Sequence, residues 1–127
     1  MNFKKLVFAT VLLVCGSLAQ AQVRTYLDKG EVEQMFVGKV TTFLRLEGSY
    51  KVKWDIRPGG MLYANNITSG QSDVAKWEVN VDGGICVKWR GRSTDGCFFT
   101  FKSGDKLMRT SSKEPDAPIL GEILEVN

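Results

Sequence analysis

None of the 127 residues is a histidine, and that one absence narrows the chemistry open to this chain. It removes Ser-His-Asp and Cys-His catalysis, His-ligated zinc and the usual neutral-pH general base together. Carboxylates are what remain for acid–base work, and Glu47, Asp55, Glu78, Asp82 and Asp95 are the candidates. Most of them fall at outward strand positions or in turns, where a solvated or turn-forming role accounts for them. Asp82-Gly83-Gly84 shares only two residues with a calcium loop, and a tight turn explains it fully. There is no G-x-G-x-x-G, P-loop or nucleophile elbow. The expectation is a protein that is not an enzyme, with no catalytic residue, no cofactor and no metal site.

Three sets of residues carry binding or bridging chemistry instead. Trp54, Trp77 and Trp89 fall on the inner faces that alternation assigns to their strands; they would line a ligand cavity or fill it, and short strands in a small chain favour filling. Lys51, Lys53 and Arg57, with Lys88, Arg90 and Arg92, would make a basic outward stripe suited to an anionic polymer if their strands are neighbours. The plainer account is that they are the solvated faces of two amphipathic strands. Cys86 and Cys97 flank the Gly91-to-Gly96 turn, so adjacent antiparallel strands would set them opposite each other within disulfide reach. Closing so short a loop stabilises by roughly 2 to 3 kcal/mol. The alternative, a redox pair, lacks the C-x-x-C spacing and a helix N-terminus after Cys86. If Ile85, Val87 and Trp89 face inward, Cys86 faces outward and the bridge is a rim staple.

The elements that must position these side chains are strands. Ala75, Trp77, Val79 and Val81 alternate with polar residues, Asp82-Gly83-Gly84 turns the chain, and Ile85, Val87 and Trp89 resume the period of two. Cys97 to Lys102 is a third, aromatic-rich strand. Upstream, Val40, Thr42, Leu44 and Leu46 alternate with Thr41, Phe43 and Arg45. Tyr50, Val52, Trp54 and Ile56 form the clearest strand, and Arg57-Pro58-Gly59-Gly60 turns into Met61 to Ile67. Thr68 to Asp73 reads as a polar loop, Lys106 to Thr110 and Ile119 to Val126 as strands, the latter with Gly121 at a bend or bulge. Leu27 to Gly38 is the one helical candidate, with Asp28 and Glu31 as a capping box and Val32, Met35 and Phe36 on one face. The fold expected is all-β: a small up-and-down antiparallel barrel or curled sandwich of about eight strands, with one short N-terminal helix over one end.

Residues 1–21 have the three parts of a secretory signal: Lys4 and Lys5, an apolar run to about Leu18, and Ala19-Gln20-Ala21 as the cleavage site. The run is shorter than the about 20 residues a membrane span needs. Removal of 21 of 127 residues leaves 106 for one domain, 22–127, and discards Cys15, so two cysteines remain. The net charge of +3 falls to +1 with the loss of Lys4 and Lys5, so overall charge gives no argument for nucleic acid or an anionic membrane.

Phe36-Val37-Gly38-Lys39, Lys76-Trp77-Glu78-Val79, Asp82-Gly83, Ile85-Cys86-Val87-Lys88-Trp89 and Cys97 together resemble a family of small exported bacterial proteins, domain of unknown function 995. The resemblance implies a periplasmic or secreted β-domain and assigns no activity, so no functional residue is carried over. The function expected is an exported, non-enzymatic binding module acting on a protein or envelope polymer. The alternatives are an inhibitor or immunity-type protein that blocks an envelope-targeting enzyme, a lipocalin-like carrier of a small ligand, and a carboxylate-dependent hydrolase needing two acids in one cleft. The carrier reading turns on whether the interior near the tryptophans is hollow.

Overall fold

The computed structural model describes residues 23–91 and 93–127. The expected signal segment, residues 1–21, and Arg92 lie outside the described residues. A short strand β1 (Thr25–Tyr26) and a helix α1 (Lys29–Phe36) precede eight strands: β2 (Lys39–Arg45), β3 (Tyr50–Arg57), β4 (Met61–Asn66), β5 (Ser72–Val79), β6 (Ile85–Trp89), β7 (Gly96–Ser103), β8 (Lys106–Thr110) and β9 (Ile119–Val126). Each of the eight pairs antiparallel with the next, and β9 pairs back onto β2, which closes an up-and-down barrel. Closure leaves no free strand edge in the ring. β7 meets β6 through only three register pairs, from Val87↔Gly96 to Ile85↔Phe98. Beyond them β1 takes over that side of β7, with Thr25 opposite Lys102 and Tyr26 opposite Phe101.

Alternation sets the inside. Val52, Trp54 and Ile56 of β3 face Phe43, Thr41 and Lys39 across β2, and Leu62 and Ala75 continue the inner face through β4 and β5. Phe98 points inward opposite Ile85, whereas Phe99 and Phe101 belong to the outer face. They are buried all the same, because Tyr26 of β1 packs edge-on against both rings and Arg24 lies over Phe101. Thr110, opposite Phe99, is covered with them and donates to the Ser112 carbonyl at 2.7 Å.

The helix closes one end. Asp28 accepts from the Glu31 amide at 2.8 Å and Glu31 accepts from the Asp28 amide at 3.2 Å, the expected reciprocal cap. Val32 and Phe36 are fully buried in the main core with Ile56 and Leu62. A helix of 8 residues is held by that packing and not by its own hydrogen bonds. The β5–β6 hairpin leans on the chain entering the helix: Gly83, at φ +88°, has the Leu27 carbonyl where a side chain would stand. That hairpin also shortens the expected strand. β5 ends at Val79 because the Asn80 side chain accepts from the Gly84 amide at 2.7 Å and starts the turn there, so Val81 is 91% exposed and not on the inner face. At its other end β5 begins at Ser72, which takes Ser72 and Asp73 out of the expected loop.

Cys86 and Cys97 are register partners on β6 and β7 and form a disulfide on the outer side, beside inward Ile85 and Val87. The bridge staples the shortest seam of the barrel. The double variant Cys86→Ser/Cys97→Ser is expected to lose about 2 kcal/mol in urea unfolding, from the freed unfolded chain. An unchanged midpoint would mean that the seam holds without it.

Candidate ligand-binding site

The end of the barrel opposite α1 is open. A cavity of about 1040 Å³ enters there, with Trp54, Trp89, Phe43, Phe98, Val52 and Ala64 as its walls. The volume, which takes in the open mouth, lies just above the roughly 300 to 1,000 Å³ typical of sites for drug-sized molecules. The expectation of a filled interior therefore holds only for the helix end. The physical reason is the inner-face sequence: toward the open end the inward positions pass from Ile56 and Leu62 to Arg45, Tyr50, Asn66 and Asp73, which line the entrance without filling it.

At the cavity wall sits a cation. Arg109 of β8 lies opposite Thr100 of β7 and Gly121 of β9, pointing inward, and is 1% exposed. Its guanidinium carbon stands 4.5 Å from the centre of the Trp54 ring, 4.8 Å from that of Phe43 and 5.8 Å from that of Phe98. Trp54 in turn meets Trp89 and Phe98 edge-on, at 5.9 and 5.4 Å. Rings stabilise a cation through their quadrupoles, but they do not accept its N–H groups as an oxygen does. Nε, Nη1 and Nη2 are all buried with no hydrogen-bond partner among the described residues. Burial pulls the Arg109 pKa down to about 10, and the group remains charged at neutral pH.

The Phe43 contact depends on Gly121. A side chain there would run into the Leu44 carbonyl and the Phe43 ring. Glycine thus lets that ring lie across β9 against Arg109. Gly121 stands where the sequence suggested a bend, and the register shifts recorded in β9 pairing lie near it, beside Thr42/Phe43 and Arg109/Thr110.

The rim is built by acids. Asp73 accepts from the amides of Val74 at 2.8 Å and Gly91 at 3.0 Å, and Asp95 accepts from the Trp89 amide at 2.8 Å. Hydrogen bonding from the Ser93 side chain, reinforced by backbone amides, holds the Asp73 carboxyl below its ordinary range despite some desolvation. A lowered native pKa adds stability above the ordinary value of 3.8 and loses it as pH falls through the native one. The Gly91 amide resonance is therefore expected to titrate with a midpoint below 3.8. Asp73→Asn should remove this acid transition, and a shift already complete at higher pH would contradict the assignment.

The residues singled out in the sequence divide. Trp54 and Trp89 line the cavity, whereas Trp77 lies toward the helix end, where its indole N–H donates to the carbonyls of Arg57 and Met61. The basic stripe does not form: β4 and β5 separate Lys51, Lys53 and Arg57 on β3 from Lys88 on β6 and Arg90 beyond it. All five are exposed, and Arg57 pairs with Asp55 at 3.0 Å and stacks over Tyr63. Of the five candidate acids, Asp95 alone lines the cavity. Arg109 carried no signal in the sequence reading; its period-two phase with Leu107 in a five-residue strand is the only clue.

Among the described residues there is no group of three or more potential metal ligands, and no helix is long and apolar enough to cross a membrane. The chain matches no family model, and no curated protein or solved structure shows significant similarity to it.

Proposed function

We propose that the protein is an exported, non-enzymatic binder of a small molecule, which it holds inside the open end of its barrel. The observation that carries this reading is the cavity of about 1040 Å³ walled by Trp54, Trp89 and Phe98. Trp54, Trp89 and Phe98 leave ring surface on its walls, the mostly apolar lining with a few polar groups that small-molecule sites share. The rim acids support a binding role over a hydrolytic one. Asp73 accepts from the Gly91 amide in the loop after β6, and Asp95 in that loop accepts from the Trp89 amide at the end of β6, which fixes the entrance. The separation of the basic side chains takes support from docking on an anionic envelope polymer. The disulfide suits an oxidising compartment, in keeping with export.

Titration with the neutral apolar dye Nile red tests the reading. Saturable one-to-one binding with quenching of tryptophan emission is the expected result, and Ala64→Met, which adds bulk on the cavity wall, should weaken it without lowering the unfolding midpoint by much. Dye binding that is unsaturable, or indifferent to that substitution, would sink the proposal.

A further inference from the structure

Resting on that reading, we propose that the ligand is an organic monoanion with an apolar body, its single charge met by the guanidinium of Arg109. Two observations and the shape of a guanidinium converge on this chemistry. Arg109 is buried on the cavity wall, and its three nitrogens have no acceptor among the described residues. A guanidinium presents a planar fork of donors that matches a carboxylate bidentately, so one small oxyanion answers the unmet hydrogen bonds and the unmet charge at once. Trp54, Phe43 and Phe98 pack on the cation and continue into the wall, which offers ring surface to an apolar body, while Arg45, Asn66 and Asp73 stand toward the entrance.

The count of charges sets the ligand at one negative charge. Arg45 at the entrance adds a cation, but Asp73 and Asp95 line the same entrance with two carboxylates. A dianion would bring a second charge that nothing inside neutralises, beside two like charges. The rings also set the order of events. The charged nitrogens have almost no exposed surface, so Trp89 or Phe98, both only partly buried, must turn aside as the head group enters. Tryptophan emission therefore reports the encounter.

The test compares dodecanoate with 1-dodecanol, matched in chain length and differing in charge, against the full chain exported and oxidised, at pH 8. Dodecanoate is expected to bind at least about tenfold more tightly, the value of a charge-assisted pair. Arg109→Gln should abolish that preference, bringing dodecanoate down to the affinity of 1-dodecanol, and Arg109→Lys should keep part of it. Equal binding of acid and alcohol overturns the monoanion and leaves the carrier reading intact. Tighter binding of dodecyl phosphate than of dodecanoate also overturns it, in favour of a dianion. If neither the lipids nor Nile red bind, the carrier reading itself falls.

Discussion

Arg109→Met is expected to make the ligand-free protein more stable, by about 3 kcal/mol, and to raise its melting temperature by roughly 10 °C or more. The lowering of the Arg109 pKa from 12.5 to about 10 corresponds to about 3 kcal/mol against the charged form. Contact with the Trp54, Phe43 and Phe98 rings returns about 2 kcal/mol. Methionine gives up that return and recovers much of it through contacts of its thioether with the same rings, while its methylenes replace those of Arg109. The desolvation penalty is what remains, and the substitution removes it. Thermal unfolding of both proteins checks the sign. A fall in melting temperature would show that the ring contacts outweigh the penalty, and would make Arg109 a packing residue.

Gly121→Ala is expected to have the largest effect in the opposite direction, a loss of about 3 kcal/mol or more. The new methyl group meets the backbone carbonyl of Leu44, which cannot turn away without breaking the β2–β9 ladder, and the ring of Phe43, which cannot turn away without leaving Arg109. Both neighbours belong to the strand that closes the barrel. The variant should therefore unfold at much lower urea and bind Nile red weakly even where it remains folded. Wild-type stability would show that β2 and β9 can part slightly at no cost.

The ring of strands was legible wherever one face meets water. Tyr50 to Ile56 and Ile85 to Trp89 were placed by alternation to within a residue or two of β3 and β6, and Ile119 to Val126 matches β9. The helix cap and the opposed cysteines followed from local chemistry, since both depend on residues near in sequence. What resisted reading lies where a second layer covers the barrel. Phe98, Phe99, Thr100 and Phe101 are all at least partly buried, because β1 covers the outer face, so period two loses its phase there. Period two also says nothing of what stands behind a face. Arg109 looks like any cation in a short strand until closure sets β8 between β7 and β9 and carries Trp54 over from β3.

The pairing of β2 with β9 also sets a timetable. Every other contact in the ring joins strands that are neighbours in sequence, so seven of the eight strands can assemble as a meander while the chain emerges, in the order of synthesis. The ring itself must wait for β9, whose partner Arg45 lies far upstream of Gly121. Until then β2 and β8 are open edges, able to recruit another chain, and the slow search for a distant strand is the step that limits folding. The Phe43–Arg109–Trp54 cluster joins strands from both sides of that gap. The cavity is thus the last part of the molecule to exist, and it comes into being only when β9 has joined the ring.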